Sequence, residues 1–311
     1  MRSTRLLRLL VAAGLCPGLA SACVDESSSP EGPVGATSGG TVSVGSKNFT
    51  EAFIVGEIYA QTLEAAGFEV ERKLNLGATD IAHAALLAGD LDLYPEYTST
   101  GLLTVLKEPA MTDEDAIYEA VAEGYLEQFD LVWLRPAPFN NPQALATTPE
   151  VAEAHGLVTY SDLAAAAPDL VLGAPPEFLE REDGLPGLQA AYDGFEFKEV
   201  RQLDAGLRYP ALENGDVDVV VAFGTDGQIS GFGLTLLEDD KKLYPPYQVA
   251  PVVRQAVLDL HPEIATALDA VSPLLTTQRM QAMNWAVDGP DKREPADVAR
   301  DFLIDQGIVR P

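Results

Sequence analysis

The sequence predicts an α/β protein built as two similar lobes, and three observations carry that prediction. First, a helix-turn-strand unit occurs twice. Thr79 to Gly101 runs through an apolar helix, Gly89-Asp90, Asp92, a short apolar strand and Tyr97. Tyr209 to Gly227 runs through Ala-Leu, Gly215-Asp216, Asp218, an apolar run and Phe223, and Tyr97 and Phe223 are spaced identically from their glycines. Second, each copy follows a strand ending in glycine, Val42–Gly45 and Leu170–Gly173. Third, two proline-rich stretches, 135–142 and LEDDKKLYPPYQVAPVV at 237–253 with its Pro245-Pro246-Tyr247, interrupt helix and sheet and mark crossings between lobes. Gly-Asp is also ordinary turn chemistry, and a chance match is the alternative. Two matched elements in the same order favour a repeat.

The chain begins with a segment outside the fold. Arg2, Arg5 and Arg8 precede an apolar stretch, Leu9 to Leu19, too short to span a bilayer. Residues 1–22 are expected to be a signal peptide. Leu19-Ala20-Ser21-Ala22-Cys23 reads as a bacterial lipobox with Cys23 lipidated, or as an ordinary Ala-x-Ala cleavage site. The Ser/Gly/Pro-rich stretch up to residue 40 is a flexible tether, and a tether directly after a cysteine favours the anchored form. Cys16 lies in the removed segment, so no internal disulfide is expected in the mature chain.

With 311 residues the chain can form two cores. At 47% hydrophobic it is globular, and its net charge of −28 argues against nucleic acid as a partner. The first lobe opens at Thr41 with a strand, a polar loop and an amphipathic helix. Ser46, Lys47, Asn48 and Thr50 stand at that helix start, where free N–H groups favour an anion. A solvated surface charge is the plainer reading of Lys47. Thr79 is placed to cap the next helix. Leu91, Leu93 and Tyr94 form a buried strand, and beyond it lie Glu96, Tyr97 and the hydroxyls Thr98, Ser99 and Thr100. Ligands of open α/β sheets bind at such strand ends. Tyr97 and Phe223 could instead be core aromatics, but their place after the strand and in the repeat points to a shared cleft. Asp113–Phe129 is a further helix and Leu131–Leu134 a strand. After the first crossing, the second lobe spans 143–247 and carries Arg181 on the loop PPEFLEREDGLPG. The tail from Val252 is mostly helical and packs back on the first lobe, which comprises 41–142 plus 248–311. Trp133 and Trp285 are packing residues.

Catalytic signatures are scarce. The histidines His83, His155 and His261 are scattered without metal spacing, and GxSxG and Walker motifs are missing from the chain. The recurring Asp90/Asp92 and Asp216/Asp218 are turn-capping groups rather than an acid/base pair. A two-lobed secreted chain with an aromatic and basic cleft is most simply a binding protein, with no cofactor and no metal.

Val44-Gly45-Ser46-Lys47-Asn48-Phe49-Thr50-Glu51, the Gly89–Gly101 stretch, Asp183-Gly184-Leu185-Pro186, Gly194–Val200 and Leu237–Asp240 with Pro245-Pro246-Tyr247 carry a family likeness. Together they resemble the glycine betaine/choline-binding proteins of osmoprotectant ABC transporters, over nearly all of Thr41 to Val309. The resemblance implies a type II periplasmic-binding fold with two hinge crossings, closing over a quaternary ammonium zwitterion and delivering it to an ABC permease. It implies Tyr97, Phe223 and Tyr247 as cage walls and Lys47, Thr100 and Arg181 for the carboxylate. Asn141 and Gln143 lie at the cleft side of the first linker. Two departures stand out: Gln143 occupies the place of a fourth aromatic, and Phe223 that of a tyrosine. Glycine betaine is the first expectation for the ligand, with choline, carnitine or an ergothioneine-like solute as alternatives. An enzyme acting on a small carboxylated amine is the rival class, and a sensory module ranks last. The mature chain is expected to be an extracytoplasmic, membrane-anchored monomer, or soluble if Cys23 is not lipidated.

Overall fold

A computed structural model describes residues 40–180, 184–203 and 207–311. The expected signal peptide, Cys23, most of the expected tether and Arg181 lie outside the described residues. Among the described residues ten strands form two five-stranded sheets. The first contains β1 (Thr41–Gly45), β2 (Glu69–Lys73), β3 (Leu93–Tyr97), β4 (Leu131–Trp133) and β10 (Val249–Arg254), in the order β2-β1-β3-β10-β4. The second contains β5 (Gln143–Thr147), β6 (Val171–Ala174), β7 (Glu199–Gln202), β8 (Val219–Phe223) and β9 (Thr235–Leu236), in the order β7-β6-β8-β5-β9. In each sheet three parallel strands are followed by an antiparallel one, β10 beside β3 and β5 beside β8. The α/β class and the two-sheet architecture expected from the sequence are thus present.

The repeat extends to individual atoms. Gly89 and Gly215 both adopt left-handed backbone, at φ 78° and 71°, a conformation that costs residues with a Cβ. Asp90 N–H donates to the Ala85 carbonyl and Asp216 N–H to the Ala211 carbonyl. The Asp92 carboxylate accepts from Ser43 N–H, and the Asp218 carboxylate from Val171 N–H, each at 2.8 Å. These aspartates tie the repeated turn to the neighbouring strand, which accounts for their recurrence without any acid/base chemistry. Trp133 packs edge-on against Tyr125, and Trp285 against Phe232, as packing residues do.

Three local expectations change. Thr79 is not the cap: Ala78 precedes the Thr79–Ala88 helix in extended backbone, and the Thr79 hydroxyl accepts from Lys47 Nζ at 3.4 Å. The first buried strand runs on through Pro95 and Glu96 to end at Tyr97. The stretch taken as a crossing, QVAPVV, contributes instead a central strand of the first sheet, β10. Its proline does not break the β3 ladder: the Pro251 carbonyl accepts from Leu134 N–H at 2.9 Å, so its donor-less nitrogen faces the end of β4, and Pro251 and Pro95 meet at a rung with no hydrogen bond between them.

The two chain segments that join the sheets run side by side. Asn140 pairs with Gln248 in an isolated bridge, Asn141 N–H donates to the Tyr247 carbonyl at 3.1 Å, and Tyr247 N–H donates to the Asn140 side chain at 2.7 Å. Ser99 Oγ donates to the Pro246 carbonyl at 2.6 Å, fixing the β3 end to the second segment. The tail helices Glu263–Val271, Thr277–Asp288 and Pro295–Asp305 contribute to the core beneath the first sheet. Pro295 opens the last of them at its first turn, as expected. The middle tail helix also reaches the second sheet's side: Trp285 lies where any Cβ on Gly227 or Gly231 would stand.

Candidate functional site

A cleft of about 770 Å³ opens where β1 and β3 end on one side and β8 ends on the other. Lys47, Tyr97, Thr100, Asn141, Gln143, Phe223 and Tyr247 all line it. Strand geometry explains part of this convergence. Tyr97 and Phe223 are the last residues of β3 and β8, equivalent strands of the two sheets, and Gln143 faces Phe223 directly across the β5–β8 ladder. Phe223 is 40% exposed and lines the cleft.

The first wall is built around two buried carboxylates. Lys47 Nζ donates to Glu96 Oε1 at 2.5 Å, and both side chains are almost fully buried. Glu96 also accepts from the Tyr94 hydroxyl at 3.0 Å and from Tyr97 N–H at 2.7 Å. The Lys47 ammonium lies 4.6 Å from the centre of the Tyr97 ring and 5.7 Å from that of Phe49. Lys47 is therefore a cation already paired, not a solvated surface charge. The second carboxylate is Glu51, at the start of the Thr50–Ala65 helix. Its Oε1 accepts from the Tyr97 hydroxyl at 2.6 Å and from Asn141 Nδ2 at 3.0 Å, and its Oε2 from Asn284 Nδ2 at 3.0 Å. Burial pushes the Glu51 carboxyl above its ordinary range, and hydrogen bonds from Thr225, Tyr97, Asn284 and Asn141 pull it back. Burial and the neighbouring Glu51 hold the Tyr97 hydroxyl well above the usual phenol range, so it stays protonated and donates. Asn141 serves this network at both ends, since its Oδ1 accepts from Thr225 N–H at 3.3 Å.

The second wall carries a charge pair that the sequence reading missed. Arg208 Nη2 donates to Asp226 Oδ2 at 3.0 Å, and the guanidinium lies 5.7 Å from the Phe223 ring centre and 5.1 Å from that of Tyr209. The same oxygen accepts from the Tyr209 hydroxyl at 2.5 Å and from Phe223 N–H at 3.0 Å. Burial raises the Asp226 carboxyl, and Arg208 is the largest influence lowering it again. Phe49, Phe178 and Tyr244 add further rings to the cleft. The signals for the missed residues were faint. Phe49 is one residue from the Thr50–Ala65 helix, in a motif already singled out, whereas Arg208 sits in an unremarkable Leu-Arg-Tyr-Pro run.

Among the described residues, no group of three or more His, Cys, Asp or Glu side chains is arranged to hold a metal ion. No described helix is long and apolar enough to cross a membrane. The cleft therefore offers aromatic faces, neutralised charges and amide groups, which recognise a small polar molecule by shape and charge.

Comparison with known proteins agrees. Residues 40–305 match the family described as the substrate binding domain of ABC-type glycine betaine transport systems. The chain is 36% identical over 273 residues to the carnitine transport binding protein OpuCC of Listeria monocytogenes, covering 87% of this chain and 88% of that one. It is 38% identical over 280 residues to a glycine-betaine-binding protein of Pseudomonas aeruginosa, covering 86% and 89%. A crystal structure of a glycine betaine/carnitine/choline ABC transporter component superposes with a TM-score of 0.82 at 32% identity, covering 86% of this chain and 99% of the other. With the match spanning both sheets and the cleft between them, the chain belongs to the substrate-binding domains of ABC-type glycine betaine transport systems.

Proposed function

We propose that the protein captures a quaternary ammonium zwitterion, glycine betaine first, between the two cleft walls and delivers it to an ABC permease without transforming it. The observation that carries this reading is the placement of Tyr97, Phe49, Phe223 and Tyr247 around one cleft in a chain of this family. A trimethylammonium group has no N–H to donate, so only π-faces and oxygen atoms can hold it, each face contributing about 0.5–2 kcal/mol. Tyr97, Phe223 and Tyr247 are the cage walls in this proposal. Lys47, Thr100 and Arg181 serve the carboxylate, with Asn141 fixing the hinge side and Gln143 the remaining edge. Lys47 gives the carboxylate only a share of its charge, because Glu96 holds the other share.

A second reading, a longer zwitterion of the carnitine or ergothioneine kind, is favoured by Gln143. An amide there adds a hydrogen-bonding group and leaves room where an aromatic wall would close the cleft. Outside the cleft, Cys23 is the proposed lipid anchor and residues 24–40 the tether, which keeps a monomeric, extracytoplasmic protein beside its permease. One acyl chain binds membranes only marginally, so anchoring requires two or more.

Calorimetric titration of glycine betaine, proline betaine, carnitine, choline and ergothioneine tests the ligand class. Binding of at least one is expected, and failure of all five at millimolar concentration would sink the quaternary ammonium reading. Mass spectrometry of the same mixtures is expected to return every ligand unchanged, and any product would move the protein to the enzyme class.

A further inference from the structure

We infer that Arg208, positioned by Asp226, determines specificity by reading the anionic group of the ligand from the second wall. This inference rests on the proposed capture of a zwitterion. It adds to that reading a residue on the wall opposite Lys47.

Three observations carry it. Arg208 lines the cleft beside Phe223, Phe178 and Leu243 while being only 6% exposed, so its charge acts in a poorly solvated setting. A guanidinium has five N–H donors in a fixed plane, and Asp226 engages Nη2 alone. The Nε–H is buried and has no acceptor among the described residues. A buried donor without an acceptor is costly, and a carboxylate docking on the edge of the guanidinium would supply two parallel acceptors at once. Lys47, by contrast, already directs its ammonium at Glu96 and Thr79.

Asp226 supplies the geometry. With its Oδ2 fixed by Phe223 N–H and the Tyr209 hydroxyl, it holds the guanidinium near the Phe223 ring. A ligand whose trimethylammonium lies against Tyr97 and Tyr247 would then present its carboxylate across the cleft to Arg208. The ligand class selected is a zwitterion whose carboxylate meets Arg208 while its ammonium rests on the first wall. A quaternary amine without an anion gains nothing from this contact.

The test compares glycine betaine with its methyl ester, which keeps the head group and loses the anionic charge. Affinities are measured by calorimetry, with the ester also competed against betaine, for the unaltered protein, Arg208→Gln/Asp226→Asn, Asp226→Asn and Arg208→Lys. Removing both charges together avoids leaving the Asp226 carboxylate without its cation. The betaine-over-ester preference is expected to fall at least tenfold in the double variant. A smaller fall is expected in Asp226→Asn, and partial retention in Arg208→Lys, which keeps the charge but not the fork. A merely structural role would weaken betaine and ester alike and leave the preference unchanged, and that result would overturn the inference. If the double variant does not fold, the preference in Arg208→Lys and Asp226→Asn decides the matter by the same criterion. If the unaltered protein binds neither betaine nor ester, the zwitterion reading fails and this inference with it. If it binds both equally, the head-group reading survives, and the Arg208 assignment falls together with the carboxylate roles of Lys47, Thr100 and Arg181.

Discussion

The two walls of the cleft carry the same inventory in different states. Each sets one cation against an aromatic ring that ends a parallel strand, and each pairs that cation with a carboxylate. On the first wall the pair is closed. Glu96 is inaccessible to solvent and accepts from Lys47, Tyr94 and Tyr97, so the charges satisfy each other inside the core. On the second wall the pair is open: Asp226 is partly exposed, and Arg208 keeps a donor without an acceptor among the described residues. Equal formal charge therefore does not mean equal availability to a ligand. Desolvation and prior commitment decide which cation still has something to give.

Breaking the closed pair should produce the largest effect. Glu96→Ala leaves the Lys47 ammonium buried beside Tyr97 with no counter-charge, and a loss of about 3–5 kcal/mol of stability is expected in urea unfolding. Lys47→Met/Glu96→Leu removes both charges and should recover most of that loss. Equal destabilisation by single and double variants would show that the pair is not closed in the sense described.

The aromatic side of the comparison gives the next effect. Tyr247→Ala and Phe223→Ala should each weaken quaternary ammonium ligands by about tenfold, the loss of one desolvated π-face. Gln143→Tyr should tighten glycine betaine by filling the edge opposite Phe223. If it instead abolishes binding of the best ligand, that ligand needs the amide or the space, which would favour the bulkier zwitterion.

The repeat was legible because its determinants are local: left-handed glycines at 89 and 215, aspartates three residues on, and apolar runs at strand spacing. The aromatic strand ends followed from the same pattern. Side-chain pairing was not legible. Lys47–Glu96, Glu51–Asn284 and Arg208–Asp226 are fixed only once separate segments meet in space, and no spacing rule marks them. Thr79 shows the same limit at a helix end, where Lys47 uses a hydroxyl that suits a cap. The β10 strand escaped notice because a proline usually excludes a central strand, and Pro251 is acceptable there because its donor-less nitrogen faces the end of β4.

A smaller effect concerns pH. Because burial raises the Glu51 carboxyl, the folded chain holds more protons at this site than the unfolded chain at pH values just above the ordinary glutamate range. Stability from Glu51 is therefore greatest below that range and declines as pH rises through the raised value. Unfolding free energies of the native chain and Glu51→Gln, compared from pH 4 to pH 8, should show the native chain losing more with rising pH. A difference that grows in favour of the native chain would contradict this origin of the shift.

The most direct measurement is a paired calorimetric titration of glycine betaine into the unaltered protein and into Tyr97→Ala. Tyr97 joins both halves of the account, since its ring faces the cleft while its hydroxyl holds Glu51. Saturable binding to the unaltered protein, weakened tenfold or more in the variant, is the expected result. Equal affinity in the two, with the variant folded by circular dichroism, would place the ammonium group elsewhere and contradict the cage.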